Sequence, residues 1–264
     1  MKSTLPLLLA GTAAVAALGL LARTETQAAP RPAQTVRAQA GRVPVIVELF
    51  TSEGCSSCPP ADASLSRLES QTVGGADVIA LGEHVDYWNH GGWADPFSAN
   101  KFSARQSDYS RSFGLDNVYT PQMVVDGKAQ FVGGDDDEAR AAIARAARQP
   151  KADVSVTASG TDAVSVQVAH VPPSAHRDPA DVLLAVTEDG LTSSVRGGEN
   201  AGRRLAYSAV VRRLVPLGTV QGGAFTARTP LDLSANWRRG RLRAVVFVQE
   251  RGSRRIIGAS EVSL

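Results

Sequence analysis

The sequence predicts an α/β domain, with a mixed central sheet flanked by helices, followed by an antiparallel β-sandwich-like domain. Two patterns lead to this prediction. Between residues 43 and 149, short apolar β-branched runs alternate with helical patterns, as in sheets that helices cover on both faces. Between residues 152 and 264, apolar and polar residues alternate in short segments without a helical period. A chain of 264 residues is long enough for two such domains.

The first domain begins with the continuous apolar run VPVIVELF, residues 43–50, which predicts a buried strand. CPPADASLSRLES follows as a helix with prolines in its first turn, and ADVIALGEH is a second strand. DPFSANKFSARQSDYSRSFG indicates one or two helices ending at Gly114. A hairpin around Asp126-Gly127 and a helix ending before Pro150 complete the domain. Strand, helix, strand, helix, hairpin, helix is the order of a thioredoxin-like fold, whose first two strands are parallel.

Residues 152–264 show the alternation expected of strands with one buried face. The predicted strands are ADVSVTAS, AVSVQVAH, DVLLAVTEDG, RLAYSAVVRRLVPLG, GAFTART, RLRAVVFVQE and RIIGASEVSL. Turn residues separate them, which favours a sandwich. A sandwich hosts many functions, so this domain indicates none by itself.

The N-terminus predicts export. Residues 1–28 combine Lys2, an apolar run and small residues up to Ala28, as a cleavable signal peptide does. An uncleaved N-terminal anchor is the alternative. Residues 29–42 are rich in Ala, Pro, Gln and Arg and predict a flexible lead-in. The mature protein is expected to be secreted, into a periplasm, without a membrane span. There a cysteine pair meets oxidising conditions.

Charge excludes some partner classes. The formal net charge is only +2, so the sequence predicts binding neither to nucleic acid nor to a membrane surface. The oligomeric state cannot be predicted from these patterns.

The only two cysteines, Cys55 and Cys58, form a CxxC motif between the first strand and the first helix. Helix N–H groups and the helix dipole at this position stabilise a thiolate, so Cys55 is the expected nucleophile. Cys58 lies one turn further and would resolve a mixed disulfide. Because no third cysteine exists, the expected partner is a protein thiol or disulfide, or a redox donor protein.

Two alternatives to a redox centre stay open. A structural disulfide closing so short a loop would contribute only roughly 2 kcal/mol through loop entropy. It could still serve a non-catalytic module of an envelope assembly. The other alternative is a copper or zinc site with Cys55, Cys58 and His84 as ligands, because thiolates and imidazole suit both metals. Otherwise no cofactor is expected.

Two further positions follow from the thioredoxin-like order. Pro121 opens a strand after Thr120, where that fold places a cis-proline beside the cysteines, so Thr120 could pair with an extended peptide. Glu48 lies seven residues before Cys55, near the position where thioredoxins bury a carboxylic acid that accepts a proton from the resolving thiol. The alignment there needs a one-residue insertion. Glu48 could instead be a paired carboxylate or face away from the site.

The segment EHVDYWNHGGWADPF gathers polar and aromatic residues at the end of the second strand. Ligands bind at the carboxyl ends of strands in open α/β sheets, and the cysteine loop follows the first strand at that end. His84 is therefore expected near Cys55, where an imidazolium would lower the pKa of a thiol. The alternative is a hydrogen-bonded structural histidine among the core aromatic residues Trp88, Trp93 and Phe97.

The chain resembles a family of secreted, mostly bacterial thioredoxin-like proteins classified as domain of unknown function 1223. The matching motifs are VELFTSEGCSSCPPAD, EHVDYW, GWADPF, RQSDYS, YTPQMVVDG and GENAGRRLAYSAVVRRL. The resemblance implies a thioredoxin-like domain followed by a β-rich domain, without an established activity. Two departures from thioredoxin itself are Gly54, in place of a tryptophan, and Ser56-Ser57 between the cysteines.

Together these observations predict an extracytoplasmic thiol–disulfide oxidoreductase or a redox-responsive protein. Cys55 is the expected nucleophile, Cys58 the resolving thiol, and Thr120-Pro121 the surface that faces a substrate. Whether the protein is an enzyme is left open.

Overall fold

The computed structural model describes residues 1–2, 41–90, 92–173 and 178–264. Apart from residues 1–2 and 41–42, the predicted signal peptide (1–28) and flexible lead-in (29–42) lie outside the described residues. Within the described ranges, no helix is long and apolar enough to cross a membrane.

The part before Pro150 contains β1 (Val43–Thr51), α1 (Cys58–Ser70), β2 (Ala76–His84), α2 (Asn100–Phe113), β3 (Gln122–Val125), β4 (Ala129–Val132) and α3 (Asp136–Ala146). The part after it contains β5 (Asp153–Ala158), β6 (Ala163–Ala169), β7 (Ala180–Glu188), β8 (Leu191–Ser194), β9 (Arg204–Tyr207), β10 (Val210–Thr219), β11 (Phe225–Pro230), β12 (Leu242–Glu250) and β13 (Ile256–Ser263), with a 3-10 turn at Arg239–Arg241. The predicted order of elements before Pro150 is confirmed.

The pairing of the first strands produces a mixed sheet, as predicted. β1 and β2 are parallel and in register up to Thr51 beside His84, so both strands end at the same edge. The hairpin of β3 and β4 joins β1 in the antiparallel direction, with Val47 beside Val125. The loop that carries the two cysteines leaves the sheet at the shared end of β1 and β2.

Helix α1 begins at Cys58, directly after the cysteine loop. Its first turn tolerates Pro59 and Pro60, because N–H groups at a helix start have no helical acceptor. The apolar cluster between α1 and β1 contains Ala61, Leu65, Leu68, Val47 and Leu49. This packing fixes the start of α1 against the sheet.

The strands after Pro150 differ from the prediction, because they do not keep to a sheet of their own. One eight-stranded sheet runs in the order β13-β12-β7-β10-β2-β1-β3-β4. The two parts join where Val210 of β10 lies parallel to Gly82 of β2. An antiparallel sheet of β11, β6 and β5 packs on the β7 and β12 end, through residues such as Val166, Leu184 and Val246. The expected two β layers are therefore present, and the domain boundary near residue 150 stays a prediction.

Strands β8 and β9 form a two-stranded sheet. Residues 195–203 connect them, and we call this segment the cap loop. It carries the GENAGR part of the late sequence motif, and it lies against the cysteine loop.

Candidate functional site

Cys55 and Cys58 form a disulfide, with Cα atoms 5.4 Å apart. The loop is tightly turned, since the amide of Cys55 donates to the carbonyl of Ser52 and the amide of Cys58 donates to the carbonyl of Cys55, both at 3.2 Å. Ser57 Oγ lies 3.3 Å from Cys55 Sγ. A hydroxyl at this distance can stabilise a thiolate when the disulfide is reduced.

The peptide bond between Thr120 and Pro121 is cis. The indole N–H of Trp88 donates to Thr120 Oγ1 at 2.8 Å. The same Trp88 covers Gly54, where a β-carbon would lie 3.1 Å from Trp88 Cβ. Gly54 is therefore needed for the close approach of Trp88. The structure brings the cysteine loop and Thr120-Pro121 together through this tryptophan.

Gly133 provides a second link between these segments. A β-carbon at Gly133 would lie 2.9 Å from the Ala61 side chain of α1 and 3.2 Å from the Pro121 ring. The amide of Gly133 also donates to the carbonyl of Pro121 at 3.0 Å. Pro121 and the first turns of α1 thus flank the same glycine.

Both sulfur-bearing residues are buried. Cys55 is 1% exposed and Cys58 is 0% exposed. A cleft of about 520 Å³ lies beside them, lined by Gly54, Trp88, His90, Trp93, Gly198 and Glu199. The cleft therefore reaches the backbone next to Cys55, while the disulfide itself is covered.

The cap loop provides part of this cover. Asn200 is fully buried, and its Nδ2 donates to the carbonyl oxygens of Cys55 at 2.8 Å and Glu53 at 3.0 Å. The Glu199 carboxylate accepts hydrogen bonds from the amide of Ser56 at 2.9 Å and from its hydroxyl at 2.6 Å. These bonds lower the pKa of Glu199. The cap loop thus binds the cysteine loop both at a buried point and at the surface.

Asn200 and Glu199 were missed as site residues by the sequence analysis. The signal that could have identified them is the polar pair Glu199-Asn200 between Gly197-Gly198 and Gly202. Such spacing is typical of a loop that approaches another backbone closely. Sequence position gives no indication of which segment the loop approaches.

His84 lies on the α1 side of the sheet and is held by Asp95. Its Nδ1 is 2.7 Å from Asp95 Oδ2, which also accepts from the amide of Glu53 at 2.9 Å. The ring packs edge-on against Phe97 and Tyr207. Burial lowers the pKa of His84, but the carboxylates of Asp95 and then its other acidic neighbours outweigh burial, so the pKa is raised. His84 is thus both a hydrogen-bonded core histidine and part of a charged cluster.

Asp62 is a buried carboxyl group of α1 on the same side of the sheet. Thr51 and His84 continue the alternation of Val47, Leu49, Val78 and Ala80, which face α1. Burial raises the pKa of Asp62 to about 7, although the nearby His84 opposes this shift. Asp62 could not be recognised from the sequence, because an acid four residues after Cys58 resembles an exposed helix residue.

Glu48 does not face the disulfide. Its carboxylate accepts hydrogen bonds from Arg105 Nε and from the hydroxyl of Tyr109, both on α2. Val47 and Leu49, its neighbours along β1, pack on α1, so Glu48 lies on the opposite face of the sheet. The structure thus links the cysteine loop to Thr120-Pro121 through Trp88 and leaves Glu48 in a separate buried network.

The described part of the chain contains no group of three or more His, Cys, Asp or Glu side chains placed to hold a metal ion. Both sulfurs are in the disulfide, and Asp95 occupies one nitrogen of His84. Copper or zinc binding by Cys55, Cys58 and His84 stays a prediction from the sequence.

One family model matches most of the chain. The model of the family DUF1223, described as a protein of unknown function, matches residues 46–249 of the sequence. The crystal structure of protein AGR_C_4864 from Agrobacterium tumefaciens is 29% identical, with a TM-score of 0.67, over 84% of this chain and 94% of that one. HBP35 of Porphyromonas gingivalis is 14% identical with a TM-score of 0.61, over 84% and 76% of the two chains, and shows similarity of fold alone. No curated protein matches. The chain belongs to the DUF1223 family.

Proposed function

We propose that the protein is an extracytoplasmic thiol–disulfide oxidoreductase or redox-responsive protein whose disulfide is covered by a movable loop. One observation supports this most: Cys55-Ser-Ser-Cys58 stands at the start of α1 beside Thr120-Pro121. The thioredoxin-like order of β1, α1, β2, α2, β3, β4 and α3 supports the same function. The extracytoplasmic location rests on the predicted signal peptide.

The chemistry assigns different roles to the two cysteines. After reduction, the thiolate of Cys55 would be stabilised by unpaired N–H groups at the start of α1 and by the hydroxyl of Ser57. Both cysteines are buried, but the cleft reaches Gly54, the neighbour of Cys55, so a partner protein would meet Cys55 first once the cap loop moves. Cys55 therefore forms the mixed disulfide with a partner, and Cys58 resolves it.

Exchange with a protein partner requires the cap loop to move. Thiol–disulfide exchange proceeds by attack of a thiolate on a sulfur, which needs access to that sulfur. Cys55 is covered while Asn200 binds its carbonyl oxygen and Glu199 binds Ser56. A partner that displaces the exposed Glu199 would open the loop from its outer end. The cap loop would then restrict exchange to partners that fit the cleft.

A second candidate function is a non-catalytic module with a permanent disulfide. The burial of both cysteines favours it, since structural disulfides resist reduction when reductants cannot reach them. In that case the bonds from Asn200 to the cysteine loop would simply stabilise the fold. The two candidates differ in whether Cys55 exchanges with an external disulfide.

Trapping of a mixed disulfide tests the proposed function. We expect purified Cys58→Ser protein, incubated with a peptide disulfide of known mass, to form a stable adduct at Cys55, because no thiol remains to resolve it. Reduced wild-type protein should instead release the reduced peptide and regain its own disulfide. Intact-mass spectrometry measures both products.

The matched control is Cys55→Ser, which keeps one thiol but leaves only the buried Cys58. It should form little adduct under the same conditions. Absence of an adduct in Cys58→Ser, in a protein that keeps its fold by circular dichroism, would support the permanent-disulfide module instead.

A further inference from the structure

We propose that Asp62 is the proton donor and acceptor for Cys58, and that it exchanges its proton with solvent through a separate cleft along α1. This inference rests on the proposed function, because a permanent disulfide would need no proton transfer. It assigns to Asp62 the role that the sequence analysis considered for Glu48.

Reduction of the disulfide creates a need for a proton at Cys58. When a partner thiolate attacks Cys55 Sγ, the bond between the sulfurs breaks and Cys58 leaves as a thiolate. Cys58 is fully buried, and an unpaired buried charge is costly, so the thiolate must be neutralised nearby. The structure should therefore hold a titratable group on the inner side of Cys58.

The geometry of α1 places Asp62 in this position. Asp62 follows Cys58 by four residues, one helical turn, so both side chains lie on the same face of α1. Helical side chains lean toward the N-terminal turn, which directs Asp62 toward Cys58. Both residues are buried, whereas the intervening Pro60 is exposed.

Asp62 belongs to a buried polar cluster with unused hydrogen-bonding atoms. Three such atoms, among the described residues, are His84 Nε2, Glu53 Oε1 and the hydroxyl of Tyr207. The charges acting on Asp62 come from His84, Asp95 and Glu53, on three different segments. Within the part of the chain that the structure describes, His84 Nε2 has no hydrogen-bond partner, while Nδ1 is bonded to Asp95. Such an imidazole can share a proton with an acidic neighbour.

A second cleft connects this cluster to the surface on the α1 side. It has a volume of about 710 Å³, and its lining includes Asp62, Ser66, Tyr207 and Ser208. The charged residues around it are Arg67, Glu69, Asp189 and Arg241. The cleft beside Cys55 is lined by other residues, so protons and partner proteins would reach the disulfide from different sides.

The acidity of Asp62 suits this role. Burial raises its pKa to about 7, with His84 opposing. Asp62 can therefore hold a proton below neutral pH and lose it above, within the range in which a thiol also exchanges protons. Burial and the neighbouring Asp95 raise the pKa of Glu53. Burial lowers the pKa of His84, but the nearby carboxylates outweigh burial, so the pKa of His84 is also raised.

A partner dithiol supplies two electrons. Its first thiol loses its proton to solvent, and the thiolate bonds to Cys55 Sγ as the Cys55–Cys58 bond breaks; the released Cys58 thiolate takes the proton of Asp62. The second partner thiol, after losing its proton to solvent, attacks the partner sulfur of the mixed disulfide and releases Cys55 as a thiolate. Asp62 regains a proton from solvent through the second cleft. In oxidation of the protein, Asp62 accepts the proton of Cys58 before Cys58 attacks.

The test measures how fast Cys58 resolves the mixed disulfide that forms when reduced protein is rapidly mixed with a peptide disulfide, in wild type and Asp62→Asn across a range of pH. In wild type the rate should level off above neutral pH. In Asp62→Asn we expect it to be about 100-fold lower at neutral pH and to continue rising with pH, as hydroxide replaces the missing base. Glu138→Gln, at an exposed position of α3 outside both clefts, should keep the wild-type profile.

An Asp62→Asn profile equal to that of wild type would overturn the inference while the proposed function stands. Absence of any exchange in wild type would instead contradict the proposed function. If Asp62→Asn does not fold, infrared difference spectra of oxidised against reduced wild-type protein provide the test. The account predicts that a protonated carboxyl signal changes on reduction, and an unchanged carboxyl region would overturn the inference.

Discussion

Replacement of Arg105 by methionine is expected to lower the free energy of unfolding by about 3–5 kcal/mol. Arg105 of α2 is almost fully buried and donates to the carboxylate of Glu48. Glu83 lies on the same side, with an oxygen 3.4 Å from Arg105 Nε. Removal of one partner of a buried ion pair leaves the other charge uncompensated, which is the costly case.

The size of the effect follows from the surroundings of Glu48. Burial, together with the neighbouring Glu48, raises the pKa of Glu83 well above its ordinary value. Arg105 is the cation that lies against both carboxyl groups. Its guanidinium also donates to Gln249 at 2.9 Å and to Tyr109 at 3.0 Å. Methionine fills similar apolar space but makes none of these bonds.

Denaturant unfolding measures this loss. Arg111→Met is the matched control, because Arg111 lies on the same helix and pairs with Asp108 on the surface, where ion pairs contribute about 0–1 kcal/mol. Addition of Glu48→Gln to Arg105→Met should restore part of the stability, since it removes the unpaired charge. Equal losses for Arg105→Met and Arg111→Met would show that the buried network does not stabilise the fold.

Replacement of Asn200 by alanine is expected to speed reduction of the disulfide by a small dithiol. The Asn200 side chain makes two buried hydrogen bonds to the cysteine loop. Their loss lowers the cost of opening the cap loop by about 2 kcal/mol, which corresponds to roughly 30-fold in the population of the open form. If opening precedes reduction, the rate rises by the same factor.

The measurement is the pseudo-first-order rate of reduction with dithiothreitol in excess. Glu199→Gln tests the surface contact with Ser56 separately from the buried bonds of Asn200. Because Glu199 is exposed, its replacement should have a smaller effect. Asn236→Ala, on an exposed turn far along the chain, controls for loss of an asparagine side chain. An unchanged rate in Asn200→Ala would mean that the cap loop does not control access to Cys55.

Local patterns predicted much of the first part of the chain. The apolar run of β1, the prolines of α1 and the Asp126-Gly127 turn each determine structure within a few residues. The pairing of β1 with β2 followed because a strand, helix and strand form a parallel crossover. The grouping of Cys55, Cys58, Thr120 and Pro121 into one site stays a prediction.

The parts that were not predicted depend on contacts between distant residues. The alternation in β10 indicates a strand with a buried face, but it does not say that Val210 pairs with Gly82 of the first part. Asn200 reaches Cys55 across 145 positions, and no local pattern encodes that contact. Alignment with thioredoxins gave Glu48 its predicted role. The alternation of side chains along β1 instead determines the face of the sheet on which Glu48 lies.

The reduction potential of the Cys55–Cys58 pair tests the central claim most directly. It can be measured by equilibration of wild-type protein with dithiol buffers, with the fluorescence of Trp88 and Trp93 as the signal, because both line the cleft beside Cys55. A disulfide used for exchange is predicted to have a potential above about −300 mV, and Asp62→Asn should change its dependence on pH. A potential below about −300 mV, the range of structural disulfides, would contradict the account.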